Sequence, residues 1–128
     1  MTALIRINQE GQFSEITEGD AAAKALPVGD AVSHDQITQL LDQPTVRLQV
    51  DGFADGRGFS VARQLRLLGF AGVIEVIGDL LPDQLPMAAA SGIDAILIRA
   101  EHAKRCEESH WRLKSGDKTR FSYQRSVA

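Results

Sequence analysis

The chain has a single cysteine, Cys106, in 128 residues, which makes an intramolecular disulfide impossible and excludes a four-cysteine metal cluster. It has no apolar run near the roughly 18 residues that a membrane-spanning helix needs. The N-terminus lacks a basic stretch followed by a long apolar one, the pattern of a secretory signal. A cytoplasmic location is therefore expected. The dinucleotide fingerprint G-x-G-x-x-G is missing as well, because "GFADGRG" at residues 52–58 does not carry that spacing. No cofactor and no metal are expected. Strong charge of one sign is also absent: the net charge is −3 and the pI about 5.5. That balance argues against nucleic acid or an anionic membrane as a partner.

What charge there is lies unevenly. From Trp111 onward Arg112, Lys114, Lys118, Arg120 and Arg125 face only Asp117, a balance of +4, so the first 110 residues carry −7. A basic end on an acidic body suits a docking tail or a plain solvated terminus. Trp111 beside it reads as a packing anchor or an interface residue. At 44% hydrophobic and 24% charged residues, the composition is that of one globular domain.

The pattern along the chain predicts a single α/β domain over 1–128. Residues 1–32 read as a β-hairpin and a connecting loop, since "ALIRI" alternates, meets the turn signal "NQEGQ" and resumes at "FSEI". Ser33 with Gln36 forms a capping-box pattern ahead of Ile37, Leu40 and Leu41, and Pro44 ends that helix. The α/β core, 33–116, then carries three β-branched runs at 45–50, 72–78 and 94–99. Each precedes a helical pattern, at 59–68, 84–91 and 100–114, that stops at Gly69, Gly92 and Gly116. Spacings of about 22–27 residues fit βα crossovers, so a small parallel βαβαβα core of three to four strands is expected, as a half-barrel or a flavodoxin-like open sheet. Residues 117–128 read as a C-terminal edge strand, "TRFSYQ", and a basic tail.

In such sheets ligands collect at the carboxyl ends of the strands. Those ends carry Asp51 to Ser60, Gly78 to Gln84 and Arg99 to His102. The stretch "FADGRGFSVARQLR", with "GFAG", "IGDLLPDQ" and "SGIDA", resembles a bacterial family of unknown function, number 934. Its members are often labelled "oxidoreductase probably involved in sulfite reduction", and their genes commonly adjoin assimilatory sulfite reductase. The resemblance covers about residues 45–98, with an echo in "FSYQ". It implies a role near sulfite or sulfate assimilation. Glu75-Val76 stands where the family usually has Arg-Ala. Ala90-Ser91-Gly92-Ile93-Asp94 stands where it has Arg-Cys-Gly-Phe-Asp, so Ser91 cannot supply that cysteine's chemistry.

Three constellations stand out. Arg57, Ser60, Arg63 and Arg66, with Asp55, surround an expected helix start whose unpaired N–H groups suit an oxyanion; Arg57 in the preceding loop would close over it. The same residues also suit simple duties, Ser60 or Asp55 as a cap and Arg63 and Arg66 as a solvated face. Asp83 and Gln84, with Asp79, read as a helix start with Asp83 as N-cap. Asp83 is also a weak general-base candidate and a candidate ion-pair partner for Arg57, as is Asp51. His102, Cys106 and His110 lie at i, i+4 and i+8, but the outer two are about 12 Å apart along a helix, so one ion cannot take all three. Glu107 and Glu108 need only solvent.

The expected function is an accessory protein of assimilatory sulfite or sulfate reduction, self-associating as a homodimer. It would bind sulfite reductase, another sulfur-assimilation enzyme or a small oxyanion through Asp55, Arg57, Ser60, Arg63, Arg66, Asp83 and Gln84. The alternative is a small enzyme, an oxidoreductase or a phosphate-ester lyase or hydrolase, working at the same edge.

Overall fold

The computed structural model describes residues 3–17, 25–27, 33–51 and 57–115. Among them six strands form one mixed sheet: β1 (Ala3–Asn8), β2 (Phe13–Thr17), β3 (Ala25–Pro27), β4 (Thr45–Gln49), β5 (Val73–Ile77) and β6 (Ala95–Arg99). The helices are α1 (His34–Leu40), α2 (Arg57–Leu67), α3 (Leu85–Ala90), α4 (Ala100–Arg105) and α5 (Glu108–Ser115), with a 3₁₀ turn at Pro82–Gln84 before α3. The order across the sheet is β2-β1-β6-β5-β4-β3. Strands β3 to β6 are parallel neighbours in chain order, and the β1–β2 hairpin joins antiparallel through β1 and β6. The protein is thus a mixed α/β fold whose sheet is parallel in part. The four parallel strands never reverse their order, so the switch-point crevice of a flavodoxin-like sheet does not arise between them. Asp55 and the expected C-terminal edge strand and tail at 117–128 lie outside the described residues.

Local chemistry explains the elements. Around α1 the capping box forms as its residues predict: Gln36 N donates to Ser33 Oγ at 3.2 Å, and Ser33 N donates to Gln36 Oε1 at 2.8 Å. α2 and α3 end alike. Gly69 and Gly92 take φ of +96° and +94°, the left-handed region that a Cβ disfavours. In each case the glycine and the residue after it return N–H bonds to carbonyls of the helix's last turn: Gly69 to Arg66 and Phe70 to Leu65, then Gly92 to Ala89 and Ile93 to Ala88.

Two boundaries differ from expectation. Helix α2 begins at Arg57, two residues early, so Arg57 sits on the helix's first turn rather than in a loop before it. Ser60 is consequently the fourth helical residue and cannot be the N-cap. The single helix expected over 100–114 is broken at Cys106, whose φ of −118° and ψ of 86° leave helical space. The break lets Trp111 turn inward, where it is fully buried and donates Nε1–H to the Cys106 carbonyl at 2.9 Å.

The helices pack on one face of the sheet. The main core joins Ile7, Val46, Leu48, Ile74, Val76, Ile96 and Ile98 of the strands to Ile37 of α1, Phe59, Ala62 and Leu65 of α2, Leu85 and Ala88 of α3, and Trp111 of α5. A second, smaller cluster, Leu4 and Leu97 with Ile16 and Ile77, consists of strand residues alone and lies on the opposite face. Glu75 is on that face too, only 6% exposed, with Arg6 Nε at 2.8 Å and Arg47 Nε at 3.0 Å from its two carboxylate oxygens. Among the described residues no helix is long and apolar enough to cross a membrane.

Candidate functional site

Because β4, β5 and β6 are parallel, their carboxyl ends share one edge of the sheet. The ends of β4 and β6 are second neighbours there, about 10 Å apart. The expected site residues distribute unevenly around this edge. Arg57 opens α2 next to the end of β4, and Ser60 and Arg63 are exposed on the same helix. Asp83 is exposed and paired with Lys114 Nζ at 3.1 Å. It is not the N-cap. Leu81 holds the position before the 3₁₀ turn, and its N–H donates to Gln84 Oε1 at 2.8 Å.

Arg66 is a different case. It points to the opposite edge, where β5 and β6 begin. Its Nε and Nη2 donate to Gly92 O, its Nη1 to Phe70 O and Gly72 O, and its Nη2 to Asp94 Oδ2, all at 2.8–3.0 Å. These five bonds use all five donors of the guanidinium, so nothing remains for an oxyanion. Arg66 therefore leaves the candidate site and becomes the clasp between the C-termini of α2 and α3. Asp94 completes it by accepting Ile74 N at 2.9 Å. Arg66→Ala is expected to cost about 2–3 kcal/mol, because three carbonyls lose a charged donor at once. Lysine should recover little, since an ammonium cannot span them. Urea unfolding midpoints with an unchanged m-value would measure this.

The residues that do converge are ones the expected helix pattern obscured. An open cleft of about 380 Å³ lies at the ends of β5 and β6, lined by Asp79, Leu81, Arg99, Glu101, His102, Arg105 and Cys106. Asp79 follows β5 and holds the end of β6: its Oδ1 accepts the Arg99 backbone N–H at 3.1 Å and its Oδ2 accepts Arg99 Nε–H at 2.7 Å, with Arg99 Nη2 ion-paired to the same oxygen at 2.6 Å. Burial pushes the Asp79 carboxyl up, but the Arg99 side-chain and backbone hydrogen bonds, with the charges of Arg99 and His102, outweigh it and hold the group below its usual range. Asp79 in turn raises the Arg99 guanidinium. The clasp therefore contributes its stability above the ordinary carboxylate range and loses it only as pH falls through the lower folded-state value. His102 Nε2 lies 2.6 Å from Leu80 O. A carbonyl only accepts, so Nε2 carries the proton in that bond and the ring is fixed to the β5 loop.

A second cleft, of about 280 Å³, adjoins the first. Leu81, Pro82, Asp83, Cys106, His110, Leu113 and Lys114 line it, and Leu81 and Cys106 belong to both. The break at Cys106 means that His102 and His110 stand on different helices and line different clefts. Among the described residues no group of three or more His, Cys, Asp or Glu side chains is placed to hold a metal ion. Glu108, expected to meet only solvent, accepts the Phe13 N–H at 3.2 Å, tying α5 to the hairpin, and is ion-paired with Arg112 Nη2 at 3.1 Å. Ser91, where the resembling family carries cysteine, is buried at the end of α3, and its Oγ has no hydrogen-bond partner. A thiol would sit there at lower cost than a hydroxyl.

Sequence reading placed Arg99 and His102 at the carboxyl end of a parallel strand but gave the weight to Arg57 and Asp83. Arg105 and Leu113 carried no signal, because their roles depend on the break between α4 and α5.

Fold and site together define a mixed α/β protein with helices on one sheet face and an open, arginine-lined cleft at the carboxyl ends of its parallel strands. Residues 26–128 match the model of the family described as bacterial protein of unknown function (DUF934). The chain belongs to that family. No curated protein and no solved structure matches it.

Proposed function

We propose that this protein binds a small oxyanion at the carboxyl edge of its parallel strands, as an accessory component of sulfite or sulfate reduction. The observation that carries the reading is the convergence of Arg99, His102 and Arg105 on one cleft at the edge where Arg57 also opens α2. Guanidinium donors suit sulfite, sulfate and phosphate equally well. The sulfur context is supported by the resemblance of residues 45–98 alone. The sheet is read as the half-barrel form of the α/β core, which suits helices confined to one face. A partner enzyme would meet the same edge through Arg57, Ser60, Arg63, Asp83 and Gln84, and the protein would self-associate as a homodimer.

Thermal unfolding in sulfite, sulfate and phosphate, against chloride at matched ionic strength, tests the anion reading. A rise in midpoint that grows with oxyanion concentration is expected, and Arg57→Ala and Arg105→Ala should each blunt it. No rise with any oxyanion, together with no capture of sulfite reductase by the immobilised protein, would reject the proposal. Light scattering that shows a monomer would remove the dimer.

A further inference from the structure

The two adjoining clefts differ in chemistry, and this difference says more about the ligand than either does alone. The first presents charge. Arg99 spends Nε and Nη2 on Asp79, which leaves Nη1 for another acceptor. Arg105 is exposed and has no ion-pair partner among the described residues. The second cleft is walled by Leu81, Pro82 and Leu113, with the Asp83–Lys114 pair beside them. Leu113 is 73% exposed, a large apolar side chain left in water at its rim.

Size points the same way. A tetrahedral oxyanion displaces roughly two water volumes, about 60 Å³. The charged cleft alone offers about 380 Å³, and the apolar one adds about 280 Å³ next to it. A bare sulfate would leave most of this space and Leu113 wet. We infer that the site takes an amphiphilic small-molecule anion: a sulfonate, sulfate, phosphate or carboxylate group joined to an apolar body. The anionic group sits between Arg99 Nη1 and Arg105, and the apolar body crosses Leu81 and Cys106 to lie against Leu113. Glu101 lines the charged cleft as well. Its carboxylate opposes the anion, so its removal should strengthen binding. The inference rests on the edge being an anion site and names the class of ligand for it.

The probe is 8-anilinonaphthalene-1-sulfonate, a sulfonate on an aromatic body, followed by its own fluorescence with the folded protein in excess urea-free buffer. Saturable binding at one site per chain is expected. Arg105→Ala and Leu113→Ser should each weaken it at least tenfold, Glu101→Gln should tighten it severalfold, and Lys104→Ala, on the same helix as Arg105 but outside the cleft, should leave it unchanged. The uncharged analogue N-phenyl-1-naphthylamine should bind at least tenfold more weakly. Circular dichroism of each variant checks that the fold is retained, and Leu113→Ala serves if the serine variant unfolds. Equal binding of the charged and uncharged probes, or binding indifferent to Leu113, overturns the inference while a sulfate-dependent thermal shift would still uphold the simpler anion site. Binding indifferent to Arg105 with no sulfate shift overturns both.

Discussion

Glu75→Ala is expected to lose about 3 kcal/mol of stability, at the lower end of what breaking a buried ion pair costs. The reason lies in the register. Arg47 is directly opposite Glu75 on β4, whereas Arg6 is two strands away on β1 and reaches the carboxylate across β6. The residue opposite Glu75 on β6 is Ala95, whose methyl leaves that path open. Removing the carboxylate strands two guanidinium groups, 22% and 31% exposed, beside each other on a face otherwise lined by Leu4, Leu97 and Ile77. Glutamine should recover only part of the loss, because its amide offers one acceptor where two are used. The converse substitution is more telling. Replacing Arg6, Glu75 and Arg47 together by leucine or methionine removes the desolvated charges and should be neutral or stabilising. Urea unfolding of the three variants checks this; a single Glu75→Ala variant within 0.5 kcal/mol of the parent, on the order of a surface change, would show that the triad holds nothing.

Trp111→Ala is expected to cost more, about 3–5 kcal/mol, a large share of the roughly 5–15 kcal/mol that holds a domain of this size. The indole is fully buried in the main core, and its N–H satisfies the carbonyl at the break between α4 and α5. Gly11, at φ +80°, lies so close that a Cβ there would meet the Trp111 backbone. The hairpin turn and α5 therefore close on each other over this residue. Trp111→Phe keeps most of the ring but orphans the Cys106 carbonyl, and should cost about 1–2 kcal/mol. Trp111 is the only tryptophan, so unfolding of the alanine variant has to be followed by circular dichroism. Since Cys106 lines both clefts, binding of the sulfonate probe should fall with Trp111→Ala even where the protein stays folded. A variant that retains full stability and full probe affinity would contradict this account.

The residues differ in how far their roles could be read without tertiary structure. Periodicity and punctuation suffice wherever the determinant is local. The capping box at Ser33 and Gln36, the glycines that end α2 and α3, and the hairpin around Gly11 depend on neighbours within about six positions. The mixed α/β class follows from them. Arg66 shows the limit. Spaced three residues from Arg63, it looked like half of an anion-binding face, yet every one of its donors is taken by Phe70, Gly72, Gly92 and Asp94, up to 28 positions away. Glu75 shows it again, since "VIEVI" reads as a strand with one solvent-facing acid until β1 and β4 bring two arginines to it.

The site divides along the same line. That the loops after β4, β5 and β6 share one edge of the sheet was determined by the sequence itself, because a parallel strand's loop direction follows from its order in the chain. Which side chains meet there was decided only by tertiary structure. A 15-residue helical pattern predicts one helix from Ala100 to Lys114, with His102, Cys106 and His110 on a common face. Burying Trp111 gains more than one unbroken run of backbone bonds, so the chain bends at Cys106. That bend sends Arg105 to the charged cleft and Leu113 to the apolar one.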